Sequence, residues 1–131
     1  MPCYIARRVI ESPHKGKTGL RRIVNAARYS IDGLVAAARN EDAFRQELIL
    51  AAVFVPLAFW VGRNGFERAL LIGSVLLILV VELLNSAIEA TVDRISFENH
   101  HLAKRAKDIG SAAVLLTLVG AALTWLLILA G

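Results

Sequence analysis

Residues 69–92 read ALLIGSVLLILVVELLNSAIEATV, an apolar run of spanning length interrupted by Glu82, Asn85 and Glu89, with Asp93 directly behind it. At 1.5 Å per helical residue such a run crosses the roughly 30 Å of a bilayer's hydrocarbon core. A charged side chain at mid-depth costs at least ~2.5 kcal/mol on insertion scales, so these residues need a compensating role. On a helix advancing about 100° per residue they fall at i, i+3, i+7 and i+11 and share an arc of roughly 80°. Capping of the span's end would account for Asp93 and partly for Glu89. It fits Glu82 badly, since that residue lies ~16 Å further along the helix. One polar stripe on an apolar helix predicts an all-α, polytopic membrane protein whose chemistry is built on the stripe.

Two more apolar segments flank this one. LILAAVFVPLAFWVG, 48–62, is uncharged and contains Pro56. It is short for a span of roughly 20 residues, so its flanks must snorkel or the bilayer must thin. IGSAAVLLTLVGAALTWLLILAG is charge-free over 109–131, with the span placed at 109–130. Three transmembrane helices follow. The 131 residues are 56% hydrophobic with a mean hydropathy of +0.58, too apolar for a soluble domain of this size. The length suits one membrane domain over 1–131, with no linker, repeat or separate soluble catalytic domain. Chemistry must come from the spans and their flanks.

The formal charge is +4, from 15 Lys and Arg against 11 Asp and Glu. Nine of those cations lie in 1–47, two in 63–68 and four in 93–108. This distribution fits the positive-inside rule better than nucleic-acid binding. It predicts a cytoplasmic N-terminus and second loop, and an outward-facing C-terminus. RNGFER, 63–68, reads as a polar turn with Asn64-Gly65 at its apex. Residues 1–17 show no apolar signal-peptide core and stay unassigned, so the spans themselves would direct insertion. Cys3 is the single cysteine and forms no internal disulfide.

An amphipathic helix is predicted over 19–39. Leu20, Ile23, Val24, Ala27, Ile31, Leu34, Val35 and Ala38 follow helical spacing, with Arg21, Arg22, Asn25, Arg28, Asp32 and Arg39 largely opposite. A basic amphipathic helix beside a span suits the cytoplasmic interface. In the third span Ala113, Thr117 and Ala121 recur every four residues, with Gly120 and Thr124 nearby, and the second span carries Gly73 and Ser74. Small residues at that spacing allow close helix approach in lipid and favour self-association.

Across the second loop, HLAKRAKDIGSAA carries Lys107 and Asp108 as the last charges before the third span, with Ser111 a turn inside. Carboxylates on one helix and an ammonium on the next can hold Mg²⁺ and phosphate oxygens between them. The same spacing permits a proton or cation pathway. Gly16-Lys17-Thr18 looks like the end of a P-loop, but that pattern needs a glycine where Glu11 stands.

NAARYSIDGL, NEDAFRQE, VELLNSAIEATVDRI and RAKDIGSAAVLL, in this order, resemble the small prokaryotic integral-membrane diacylglycerol kinases from about Thr18 onward. The resemblance implies transfer of the γ-phosphoryl of MgATP to diacylglycerol, giving phosphatidic acid. It also implies a homotrimer in the bacterial inner membrane, with active sites between subunits at the cytoplasmic surface. On this resemblance Glu82 is the general base, a role that suits a carboxylate in an apolar setting. Glu41 and Glu89 hold the metal, Lys107 neutralises phosphate charge, and Asp108 and Asn85 orient the site. Arg22, Tyr29 and the Glu98-Asn99-His100 segment contact the nucleotide. Lipid contacts fall to Arg22, Ser30, Ala43, Phe44, Arg45, Gln46, Glu47, Trp60, Arg68, Glu82 and Ser111. Arg68 stands at the opposite surface in the topology above, and Trp60 reads equally as an aromatic-belt anchor. A kinase for another lipid alcohol such as undecaprenol is the nearest rival; a proton- or cation-conducting protein is a rival of a different class.

Overall fold

The computed structural model describes residues 19–95 and 100–131, and all the regular structure among them is helical: α1 (Leu20–Asn40), α2 (Asp42–Val61), α3 (Gly65–Ile95) and α4 (His101–Ala130). The chain divides into two units, 1–34 and 35–131. Within the first, α1 starts behind Gly19, whose φ of 71° suits a residue without a Cβ, and its run of helical spacing is the amphipathic segment expected at 19–39. The second unit holds the end of α1 and the three long helices, each long and apolar enough to cross a membrane.

The helices outrun the apolar segments that announced them. α2 begins at Asp42 rather than at residue 48, because the charged 42–47 stretch has good helix formers and continues the same turns. This lengthens the short first span to 20 residues, with Pro56 accommodated inside it. RNGFER is not a turn throughout. Residues 65–68 are already helical, and Asn64 caps α3 by accepting from the Glu67 amide at 2.9 Å. Arg63 then reaches the far helix. Its guanidinium donates to the carbonyls of Gly131 at 3.0 Å and Ile128 at 3.4 Å while Glu67 holds it, so orphan carbonyls at the end of α4 are satisfied.

Inside the second unit α3 lies between α2 and α4 and packs along both. What it buries inverts the rule for soluble proteins. The buried apolar residues described are mostly small: Ala37, Ala51, Ala58 and Ala121, with Val75, Leu71 and Phe44. The exposed ones are large, among them Leu115, Leu116, Leu126 and Leu127. In hydrocarbon a leucine gains nothing by turning inward, so close backbone approach and polar contacts select the interior. On α2 the buried positions 44, 51 and 58 repeat every seven residues, the spacing of a left-handed helix seam. Ser74 and Trp125 tie α3 to α4, the indole Nε1 donating to the hydroxyl at 3.2 Å while Phe54 of α2 meets the indole edge-on at 5.2 Å. Of the small residues expected at the seam, Ala121 is buried, whereas Gly73 and Gly120 have open space where a Cβ would stand.

This packing separates two leucine-type substitutions. Ala58 is fully buried and Leu116 is 71% exposed. Ala58→Leu should cost about 1–3 kcal/mol by overpacking, whereas Leu116→Ala should stay within about 0.5 kcal/mol of the parent protein. Thermal unfolding in one detergent, with both variants beside the parent, measures the difference.

Candidate active site

The buried face of α3 runs from apolar to polar along one stripe: Leu71 and Val75 toward one end, then Glu82, Asn85 and Ser86. These three polar residues are 5%, 7% and 8% exposed, which places the carboxylate inside the helix bundle, away from lipid. Leu76, Leu77, Val80 and Leu84 of the same helix face outward. Glu41 precedes α2 in extended conformation and makes no side-chain cap to its own helix, so its carboxylate is available elsewhere. It lies within electrostatic reach of Glu82, as do Glu89 and, from the second turn of α2, Glu47. Glu41, Glu47 and Glu89 thus share Glu82 as an electrostatic neighbour.

Hydrogen bonding leaves part of this group unspent. The Asn85 amide nitrogen donates to Glu89 Oε1 at 3.4 Å. Among the described residues Asn85 Oδ1 and Glu47 Oε2 are buried without a hydrogen-bond partner, whereas Ser86 lies within hydrogen-bonding reach of the Glu82 carboxylate. Buried polar atoms are rarely left unmet, so this cluster is a place where other polar groups are to be received. The Glu47 carboxylate also stands on an otherwise apolar cleft of about 250 Å³ lined by Leu50, Phe54, Leu118 and Trp125.

α4 brings the cationic partner. Gly110 is buried against Asn85, and a Cβ there would collide with the Asn85 side-chain oxygen. The glycine of KDIGSAA is thus what lets the start of α4 lie along Asn85, Glu89 and Asp93. Lys107 Nζ pairs with Asp93 Oδ1 at 2.5 Å and is within reach of Glu89. Asp108 pairs with Lys104 at 2.6 Å. His100 caps α4, its Nδ1 accepting from the Leu102 amide at 3.2 Å, and its ring stacks on His101.

The structure gathers Glu41, Glu47, Glu82, Asn85, Glu89 and Lys107, and leaves other expected site residues apart. Arg45 is committed to the α1–α2 corner, donating to the carbonyls of Ala38 and Arg39 and pairing with Asp42. Phe44 is 1% exposed and belongs to the core, whereas Ala43, Gln46 and Ser111 are exposed. Trp60 is 84% exposed beyond the buried stripe, in the last turn of α2. Arg68 donates to the Gly62 carbonyl, ~21 Å along α3 from Glu82 at 1.5 Å per residue. Arg22, Tyr29 and Ser30 belong to the first unit, where the Ser30 hydroxyl donates to the Ala26 carbonyl at 2.8 Å. Glu98 and Asn99 lie outside the described residues. Ser86 was not singled out from sequence, although its place four residues after Glu82 puts it beside the stripe. Sequence reasoning does not single out Trp125 either, since its partner Ser74 lies 51 residues away.

Fold and site define a class first: a small helical membrane protein with a buried carboxylate group that meets a lysine at one end of the bundle. Residues 28–129 match the family described as prokaryotic diacylglycerol kinase, and the chain belongs to that family. It is similar to the diacylglycerol kinase of Pseudomonas aeruginosa, 56% identical over 120 residues, which cover 92% of this chain and 98% of that protein. The diacylglycerol kinase of Escherichia coli K12 is 53% identical over 112 residues, 86% of this chain and 92% of that protein. That of Haemophilus influenzae is 48% identical over 108 residues, 82% and 92% of the two chains. Membership makes the protein a kinase.

Gly110→Val should push Asn85 out of the seam. The expected result is a lower melting temperature in detergent together with lost turnover, whereas Gly65→Ala, which has open space to fill at the start of α3, should leave both near the parent values.

Proposed function

We propose that this protein transfers the γ-phosphoryl of MgATP to the hydroxyl of sn-1,2-diacylglycerol, giving phosphatidic acid and ADP. The observation that carries the reading is the buried Glu82–Asn85–Ser86 cluster with Lys107 at its open end, in a chain of the diacylglycerol kinase family. Glu82 takes the proton of the lipid hydroxyl as its oxygen attacks the γ-phosphorus, and the bond to the ADP oxygen breaks. Phosphoryl transfer asks a protein for positioning and charge neutralisation more than for covalent chemistry. Lys107 supplies a positive charge to the phosphates, and Asn85 and Asp108 orient the site.

Among the described residues no three His, Cys, Asp or Glu side chains are grouped to hold a metal by themselves. A Mg²⁺ that arrives with a nucleotide needs only one or two carboxylates, since phosphate oxygens and waters complete its octahedron, and Glu41 and Glu89, both within electrostatic reach of Glu82, would hold it. Bound there, the ion would screen the charge of the phosphates. Arg22, Tyr29 and the Glu98-Asn99-His100 segment contact nucleotide in this reading, and Ser30, Ala43, Gln46, Glu47 and Ser111 contact lipid. The protein works in the bacterial inner membrane with the Lys107 end cytoplasmic and the C-terminus periplasmic, as the distribution of Lys and Arg supports. A homotrimer with active sites between subunits suits the open groove along Gly73, Ser74, Gly120 and Thr124, which has room for a neighbouring helix.

Purified protein in mixed micelles, given ATP, Mg²⁺ and a panel of lipid alcohols, tests the substrate: diacylglycerol should be phosphorylated, and turnover of undecaprenol alone would overturn the choice. Glu82→Gln should lower turnover by at least about 100-fold, the scale of general-base catalysis, with the oligomer unchanged on sizing in detergent. A variant that keeps its activity would remove Glu82 from the proton's path.

A further inference from the structure

The ion pair between Asp93 and Lys107 differs from the others described. Asp42–Arg45, Arg63–Glu67 and Lys104–Asp108 join residues three or four apart, whereas Asp93–Lys107 joins α3 to α4. Its two side chains are 63% and 41% exposed, and a pair so open to solvent contributes little to holding helices together. Burial along α3 already does that. What the pair does fix is the ammonium. A lysine stem has four flexible bonds and a compact charge that many anions satisfy, so a carboxylate at 2.5 Å selects one placement among many. The neighbouring acid does not compete, because Asp108 is engaged by Lys104. Glu89 lies one turn inward of Asp93 on α3 and also within reach of Lys107.

We propose that Asp93 is a positioning residue for the nucleotide: its carboxylate holds the Lys107 ammonium beside Glu89, at the open end of the site, where arriving phosphate oxygens meet a cation already in place. The inference rests on the reading of Lys107 as the phosphate-binding lysine. Asp93 touches neither substrate; it acts through Lys107.

Asp93→Asn keeps the size and removes the charge. The KM for MgATP should rise about tenfold, the scale of one lost charge-assisted contact, with the KM for diacylglycerol, kcat and the melting temperature in detergent near the parent values. Asp93→Glu should recover most of the loss. An unchanged KM for MgATP in Asp93→Asn overturns the proposal. So does a parallel change in both KM values with a lowered melting temperature, which is the signature of a structural pair. Lys107→Met separates the two levels of the argument. If it is impaired and Asp93→Asn is not, only the positioning role fails; if Lys107→Met binds a non-hydrolysable ATP analogue as the parent does, the phosphate reading of Lys107 fails and takes the positioning role with it.

Discussion

A carboxylate at the depth of Glu82 cannot face hydrocarbon, and that constraint arranges the rest of the molecule. The stripe formed by Glu82, Asn85 and Ser86 has to be covered by protein, so α3 occupies the middle, with α2 against one side and α4 against the other. In a soluble protein the same helix would be placed by its leucines. Here the leucines of α3 that neighbour the stripe point outward at no cost, because lipid solvates them as well as protein does.

Covering the stripe sets what can stand opposite it. Alanines at 51, 58 and 121 let backbones approach, and Gly110 lets α4 come down on Asn85 itself. Its neighbours in sequence, Lys107 and Asp108, are carried to the end of the stripe by that approach. The same close packing that buries the general-base candidate therefore delivers the cation. A bulky residue at position 110 would be a defect in the site as well as in the seam.

In the proposed reading the acidic group is what brings phosphate charge and lipid together in so small a bundle. Polar atoms at Asn85 and Glu47 remain buried with unspent hydrogen-bonding capacity, and the Glu47 end opens on an apolar cleft. One edge of the group is matched to oxygen-rich ligands and the other to hydrocarbon. That juxtaposition suits an enzyme whose two substrates arrive from different phases.

Periodicity and hydropathy alone determined the three spans, the amphipathic helix and the single polar face of the second span, since each depends only on local spacing and on transfer into lipid. The wording of the four sequence blocks carried the family. Other features were beyond local reasoning. Residues 65–68 look like a turn because their composition is polar, yet Asn64 caps a helix that starts earlier than the apolar run. The resemblance makes Arg45 a lipid contact, and only the fold shows that its guanidinium also meets the Ala38 and Arg39 carbonyls. Asp93 looks like a helix cap until α4 folds back and sets Lys107 against it. Which acid meets which base across a loop is a property of the packed helices, and only the tertiary structure decided it.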